Sequence, residues 1–152
     1  MTLCAILQSE SEQLIQSVLT SVSAQLKEKN IKLNLQVEGD PKVRVDPNIL
    51  TFALRNILSN AAKFSAVKGE IKLRVPQADG RLILVQDQGR GMNADQLAKV
   101  NAQESFSARG TRSEKGTGMG LALSRQFLAA MGAKLQIESE LGEGTTVTIH
   151  LA

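Results

Sequence analysis

Two glycine clusters hold the chemistry of this chain: Asp87-Gln88-Gly89-Arg90-Gly91, and Gly116-Thr117-Gly118-Met119-Gly120-Leu121. Each adjoins a segment with helical periodicity. Glycine lets backbone approach a ligand closely and adopts conformations barred to other residues. N–H groups at a glycine-rich helix start suit phosphate. An acid directly precedes the first pair of glycines, whereas Arg109, Arg112 and Lys115 flank the second cluster. Acid in one place and cations in the other fit a ligand with a base at one end and phosphates at the other. A carboxylate at Asp87 can accept from an exocyclic amine, which selects adenine over guanine. The alternatives are a turn aspartate serving its own loop and, for the cations, a solvated basic loop.

Neither cluster is a familiar phosphate loop. The Walker pattern needs Lys-Ser/Thr after its last glycine, and neither cluster has it. Gly89-Arg90-Gly91-Met92-Asn93-Ala94 satisfies a relaxed dinucleotide fingerprint, but Asp87 would repel a pyrophosphate there. No second strand–helix unit with a ribose-binding acid follows clearly.

Asn56, Asn60 and Lys63 form a third group, spaced four and three residues apart. At about 100° per residue they share roughly a 60° arc of one helix, beside its apolar stripe. An asparagine oxygen can ligate Mg²⁺ while phosphates complete the shell, and lysine can neutralise phosphate. Alone, the asparagines read as caps for nearby loops; beside two glycine clusters, they read as ligand groups.

Composition narrows the classes. The 152 residues are enough for one domain with a real core, expected over 1–152, with 1–8 as a candidate linker into it. With no Trp or Tyr, only four Phe and a net charge of +3, nucleic acid is not the expected partner. A single cysteine, Cys4, excludes an internal disulfide or a Cys-rich metal site and fits a reducing compartment. Leu3–Leu7 is too short for a membrane span or a signal peptide. Ser65, Ser105 and Ser107 have no histidine base beside them, so a hydrolase triad is unsupported. His150, the one histidine, has no thiol or acid cluster nearby to make a metal site.

These groups need elements to position them. Leu14, Ile15, Val18, Leu19, Val22 and Leu26 form a helical stripe within about Ser9–Lys29. Ile31, Leu33, Leu35 and Val37 alternate as a strand. Asp46 then Pro47 reads as an N-cap with proline at the first helical position, opening a helix with Leu50, Ala53, Leu54, Ile57, Leu58 and Ala61 on its core face. Strands follow at Ile71–Val75 and Leu82–Val85, joined across Pro76–Gly80, then a short helix at Ala94–Val100. Asn101–Lys115, polar with few apolar anchors, reads as a lid loop. Thr117–Met131 is a helix closed by Gly132. Leu135–Glu138 and Thr145–Leu151 form a final hairpin across Leu141–Gly144. The pattern predicts an α+β, two-layer sandwich: a mixed, largely antiparallel sheet with helices on one face.

Taken together, the motifs resemble those of the catalytic, ATP-binding domain of sensor histidine kinases, within the superfamily that includes gyrase, Hsp90 and MutL. Asn56-Ile-Leu-Ser-Asn60-Ala-Ala-Lys63-Phe64-Ser65 resembles the N box, and Asp87-Gln-Gly89-Arg-Gly91 the first glycine box. Phe106 with Arg109 resembles the F box, and Gly116-Thr-Gly118-Met-Gly120-Leu121 the second glycine box. The resemblance covers nearly the whole chain and implies the Bergerat-type ATP-binding fold.

The resemblance also implies roles. Asn60 would bind Mg²⁺, Asp87 would read the adenine amine, and Lys63 and Arg109 would face phosphates. Gly116, Gly118 and Gly120 would shape the lid hinge and phosphate contact. Gly89, Gly91, Met92, Phe106, Lys115, Thr117, Met119 and Leu121 would complete the nucleotide site. Hydrolytic relatives carry a glutamate one turn before the magnesium-binding asparagine, where this chain has Asn56. An amide is no general base, so the implied chemistry is transfer of the ATP γ-phosphoryl group to a partner's nucleophile. The expected partners are a separate phosphoacceptor-histidine domain and a downstream response regulator. No nucleic acid or direct membrane contact is expected. A cytoplasmic location is, whether or not the parent is anchored in the inner membrane. The alternatives are a stand-alone serine kinase that restrains sigma factors, and a nucleotide-gated binding module without catalysis.

Overall fold

The computed structural model describes residues 10–38, 46–76, 80–101 and 120–151. The first helix, α1 (Glu10–Glu28), buries Ile15, Val18, Leu19, Val22 and Leu26 along one stripe. It ends where Asn30 takes φ 53°: Asn30 N–H bonds Lys27 O at 3.1 Å and Ile31 N–H bonds Leu26 O at 2.9 Å. That is a Schellman stop, and Leu26 and Ile31 supply its apolar contact.

Strand β1 (Lys32–Val37) leads to α2 (Pro47–Phe64), whose N-cap Asp46 accepts from Asn48 N–H at 2.8 Å. Strands β2 (Glu70–Val75) and β3 (Leu82–Asp87) follow. Next come α3 (Ala94–Asn101), α4 (Gly120–Ala130), β4 (Lys134–Glu140) and β5 (Gly144–His150). Asn93 opens α3 with a reciprocal box: its Oδ1 accepts from Gln96 N–H at 2.8 Å, and Gln96 Oε1 accepts from Asn93 N–H at 3.0 Å. Gly132, at φ 77°, closes α4 with Ala133 N–H bonded to Leu128 O at 2.8 Å.

Among the described residues, five strands form one sheet in the order β1-β2-β3-β5-β4. Only β1 and β2 are parallel, joined through α2; every other pair is antiparallel. Ile71, Leu73 and Val75, with Ile83 and Val85, then Val147 and Ile149, then Leu135 and Ile137, point to one face and are buried. The alternate residues are mostly polar, as a sheet with one solvated face requires. Helices α1, α2 and α4 cover the buried face, α2 between the other two. The expected two-layer α+β sandwich is what forms.

Boundaries differ slightly. Strand β3 runs to Asp87 because both neighbours pair there, Ile71 of β2 and Thr145 of β5. Asp87 thus ends the strand instead of following it. The short helix reaches Asn101, and β5 begins at Gly144, inside the expected turn. No helix among the described residues is long and apolar enough to cross a membrane.

Candidate functional site

The last four carbonyls of a helix lack partners within it, and in α2 all four find partners beyond its end. Ala61 O accepts from Ser65 N–H at 3.0 Å and Ser65 Oγ at 2.6 Å. Ala62 O and Lys63 O accept from the Lys29 ammonium at 3.0 and 2.8 Å. Phe64 O accepts from Arg90 N–H at 3.3 Å. The first glycine segment is therefore bonded directly to the end of the helix that carries Asn56, Asn60 and Lys63.

That segment is pinned on its other side by the β4–β5 hairpin. Arg90 O accepts from Gly142 N–H at 2.7 Å, and Met92 N–H donates to Ser139 Oγ at 2.8 Å. Ser139 Oγ in turn lies 2.9 Å from Gly144 O and 2.8 Å from Thr145 Oγ1. The glycines here serve close packing. A β-carbon at Gly89 would fall 2.4 Å from Phe64 O, and one at Gly91 would fall 2.0 Å from Glu140 O. The N–H groups of Gly89, Arg90 and Met92 already have protein acceptors. The first cluster is thus a rigid wall, and those three N–H groups do not form a phosphate cradle.

Asp87 stands where this wall meets the sheet. It is 7% exposed, and its Oδ1 accepts from Gly89 N–H at 2.8 Å. Burial pushes its carboxyl up to about 6, against the lowering effect of N–H bonds from Gly89 and Thr145. The turn-aspartate role is therefore present: a carboxylate held by backbone, in a desolvated place. A depression on the hairpin side is lined by residues that include Asp87, Ser139, Thr145 and the acidic Glu138, Glu140 and Glu143. So much negative charge repels phosphate.

Asn60 and Lys63 are half-buried on the last two turns of α2. The Lys63 ammonium lies 5.0 Å from the Phe64 ring centroid, and the Arg90 guanidinium 4.7 Å from the same ring. Asn56 is oriented by its own helix, with Nδ2 donating to Phe52 O at 3.0 Å. Its Oδ1 faces Gly120, the first residue of α4, so α4 starts directly against the N-box helix. Leu121 and Met92 are half-buried against the core. Phe106, Arg109, Lys115, Gly116, Thr117, Gly118 and Met119 lie outside the described residues.

Among the described residues, no group of three His, Cys, Asp or Glu could hold a metal ion by itself. A Mg²⁺ at Asn60 would have one amide oxygen from that residue and would need phosphate oxygens and water for the rest of its shell. That suits an ion that arrives with a nucleotide.

Lys29, Ser139, Thr145 and Arg125 escape sequence reasoning. They have no local signature, because each meets the site through a partner distant in the chain: Ala62, Lys63 and Ser65 for Lys29, Met92 for Ser139, Asp87 for Thr145 and Asn101 for Arg125. Arg125 is buried on α4 and donates to Asn101 O at 2.9 Å and Asn101 Oδ1 at 3.2 Å, clamping the end of α3. Asn93-x-x-Gln96, by contrast, is legible as a capping box.

Comparisons with known proteins bear on the family and the fold. The family model described as histidine kinase-, DNA gyrase B-, and HSP90-like ATPase matches residues 45–152. The methanogenesis regulatory histidine kinase FilI of Methanothrix harundinacea is 34% identical over 142 residues, covering 91% of this chain and 16% of FilI. The mycobacterial sensor histidine kinase MprB superposes with a TM-score of 0.72 at 27% identity, covering 91% of each chain. Full-length ShkA in complex with AMPPNP gives 0.71 at 28% identity, covering 94% of this chain and 30% of ShkA. The chain thus spans about a sixth of FilI and under a third of ShkA.

Proposed function

As the chain belongs to the family of histidine kinase-, DNA gyrase B-, and HSP90-like ATPases, we propose that it is the ATP-binding catalytic domain of a sensor histidine kinase. It would pass the γ-phosphoryl group of ATP to a histidine on a separate phosphoacceptor domain, from which a response regulator takes it. The observation that carries this reading is the bonding of the Asp87–Met92 wall to the end of α2. The buried Asp87 carboxylate is thereby tied to the helix of Asn60 and Lys63, which supports its reading as the acceptor for the adenine amine.

Each residue has a part suited to its chemistry. Asp87 accepts from the adenine amine, and its acid surroundings keep phosphate at the other end of the site. Lys63 neutralises phosphate charge. A Mg²⁺ held by Asn60 supplies further charge neutralisation on the phosphates. Asn56 positions α4 and, as an amide, takes no proton from water, so hydrolysis lacks an activator. In the transfer, the bond from the γ-phosphorus to the β,γ-bridging oxygen breaks. An imidazole nitrogen of the acceptor bonds to that phosphorus, ADP leaves, and the imidazole N–H proton passes to solvent. The place for this is the cytoplasm, where ATP is.

Labelled ATP with a phosphoacceptor domain added or fused tests the reading. The chain alone should bind ADP, hydrolyse ATP very slowly and stay unlabelled; the acceptor should carry an acid-labile, base-stable phosphate. Robust self-labelling, or an acid-stable product on the acceptor, would transfer the case to a serine kinase of the same fold. Binding without any transfer would leave a nucleotide-gated module.

A further inference from the structure

Lys29 lies just past α1 and is 3% exposed. Its main chain and side chain grip the same loop. Its carbonyl accepts from Lys68 N–H at 2.7 Å, and its ammonium donates to the carbonyls of Ala62, Lys63 and Ser65 at 3.0, 2.8 and 3.2 Å. A cation gathered by carbonyls at the negative end of a helix is favourable. Even so, taking a lysine out of water is expensive, and packing alone would be served by an apolar residue of the same length. The geometry gives the charge a further task. The bonds to Lys63 O and Ser65 O bracket Phe64, whose carbonyl receives Arg90 N–H at 3.3 Å and would lie 2.4 Å from a β-carbon at Gly89. A small turn of this peptide therefore moves the glycine wall and, through the Gly89–Asp87 bond, the carboxylate.

We propose that Lys29 is a positioning residue for the nucleotide site, holding the last turn of α2 so that Phe64 seats the Gly89–Arg90 wall. This inference rests on the nucleotide-binding reading above. Lys29 touches no ligand itself and acts from the far end of α1, through backbone carbonyls.

The test compares Lys29→Met, which keeps length and loses the donors, with Val22→Ala, a core truncation on α1. Two quantities are read where each protein is fully folded: ADP affinity by calorimetry, and amide exchange at Arg90 in ligand-free protein. Lys29→Met should weaken ADP binding about tenfold and speed Arg90 exchange by a similar factor. Val22→Ala should leave both within about twofold of wild type, whatever its melting temperature. If Lys29→Met behaves like Val22→Ala in both readouts, Lys29 is only a stabilising cap and the proposal falls. Should Lys29→Met not fold, Lys29→Gln, too short to reach all three carbonyls, decides by the same comparison. If wild type binds no ADP, the nucleotide reading fails and this role with it. Arg90 exchange would still report separately whether Lys29 holds the wall.

Discussion

The side chain of Asn56 occupies the space a β-carbon on Gly120 would need: that carbon would fall 2.6 Å from Asn56 Oδ1 and 3.0 Å from its Cγ. The amide is not free to swing aside, because Nδ2 donates to Phe52 O at 3.0 Å. Gly120→Ala should therefore destabilise the chain by about 1–3 kcal/mol through overpacking, although alanine is the better helix former. Adding Asn56→Ala should recover most of that loss. A urea-denaturation double-mutant cycle reads the coupling, and simple additivity would show that the pair does not set the α2–α4 contact.

Asp87 should make stability depend on pH in an unusual direction. Its folded value of about 6 lies above the ordinary 3.8, so the folded chain keeps a proton that the unfolded chain has released between those values. Stability from this residue is then present below 3.8 and lost as pH rises through about 6. The loss is at most on the order of 3 kcal/mol. Asp87→Asn should flatten that slope and raise stability at neutral pH, while weakening ADP binding by about 1–3 kcal/mol through a mismatched buried donor. Denaturation across this pH range, with calorimetry on the same samples, checks both. A variant less stable than wild type at neutral pH would contradict the burial argument.

The clamp from Arg125 to Asn101 should be worth more than a surface contact. Burial lowers the guanidinium's pKa, and Nη1 and Nη2 lie 2.9 and 3.2 Å from their acceptors on Asn101. Arg125→Met is expected to cost about 2–3 kcal/mol, with α3 amides exchanging faster than those of the sheet. Uniform acceleration across the chain would mean that α3 has no special dependence on it.

Two glycines with similar backbone should respond very differently to alanine. Gly91 has φ +69° and a β-carbon there would meet Glu140 O at 2.0 Å, whereas Gly142, at φ +83°, has open space. Gly142→Ala should cost only the backbone strain, about 1–2 kcal/mol. Gly91→Ala must also displace the hairpin from the glycine wall, and should lose ADP binding as well as stability. Equal melting temperatures for the two would count against the close contact.

Much of the fold is written in short-range patterns. Asp46-Pro47 opens α2, Gly132 closes α4, and the apolar stripes of α1 and α2 turn inward as their spacing requires. These features depend on residues within a turn or two of each other, where backbone geometry leaves few options. The order and spacing of Asn56, Asn60, Lys63, Asp87 and the glycines likewise point to a nucleotide site by themselves. The end of α1 is legible to within a residue at Lys29, but that Asn30 takes the left-handed backbone and closes the helix by two carbonyl bonds is seen only in the fold.

The tertiary structure decided which distant groups meet. Strand β5 lies between β3 and β4 and so pairs Thr145 with Asp87; burial under the closed sheet and helices raises that carboxyl's pKa, and the Thr145 N–H bond only partly offsets it. The first glycine cluster, legible as a possible ligand loop, becomes a wall only because Phe64 O, Glu140 O and Ser139 Oγ converge on it. Lys29 and Arg125 carry no local signal of burial, yet both are buried on carbonyls that other elements bring. A sequence specifies local conformation through neighbours a few bonds away. Desolvation, and the partner of each polar group, exist only once the sheet and its helices have closed around them.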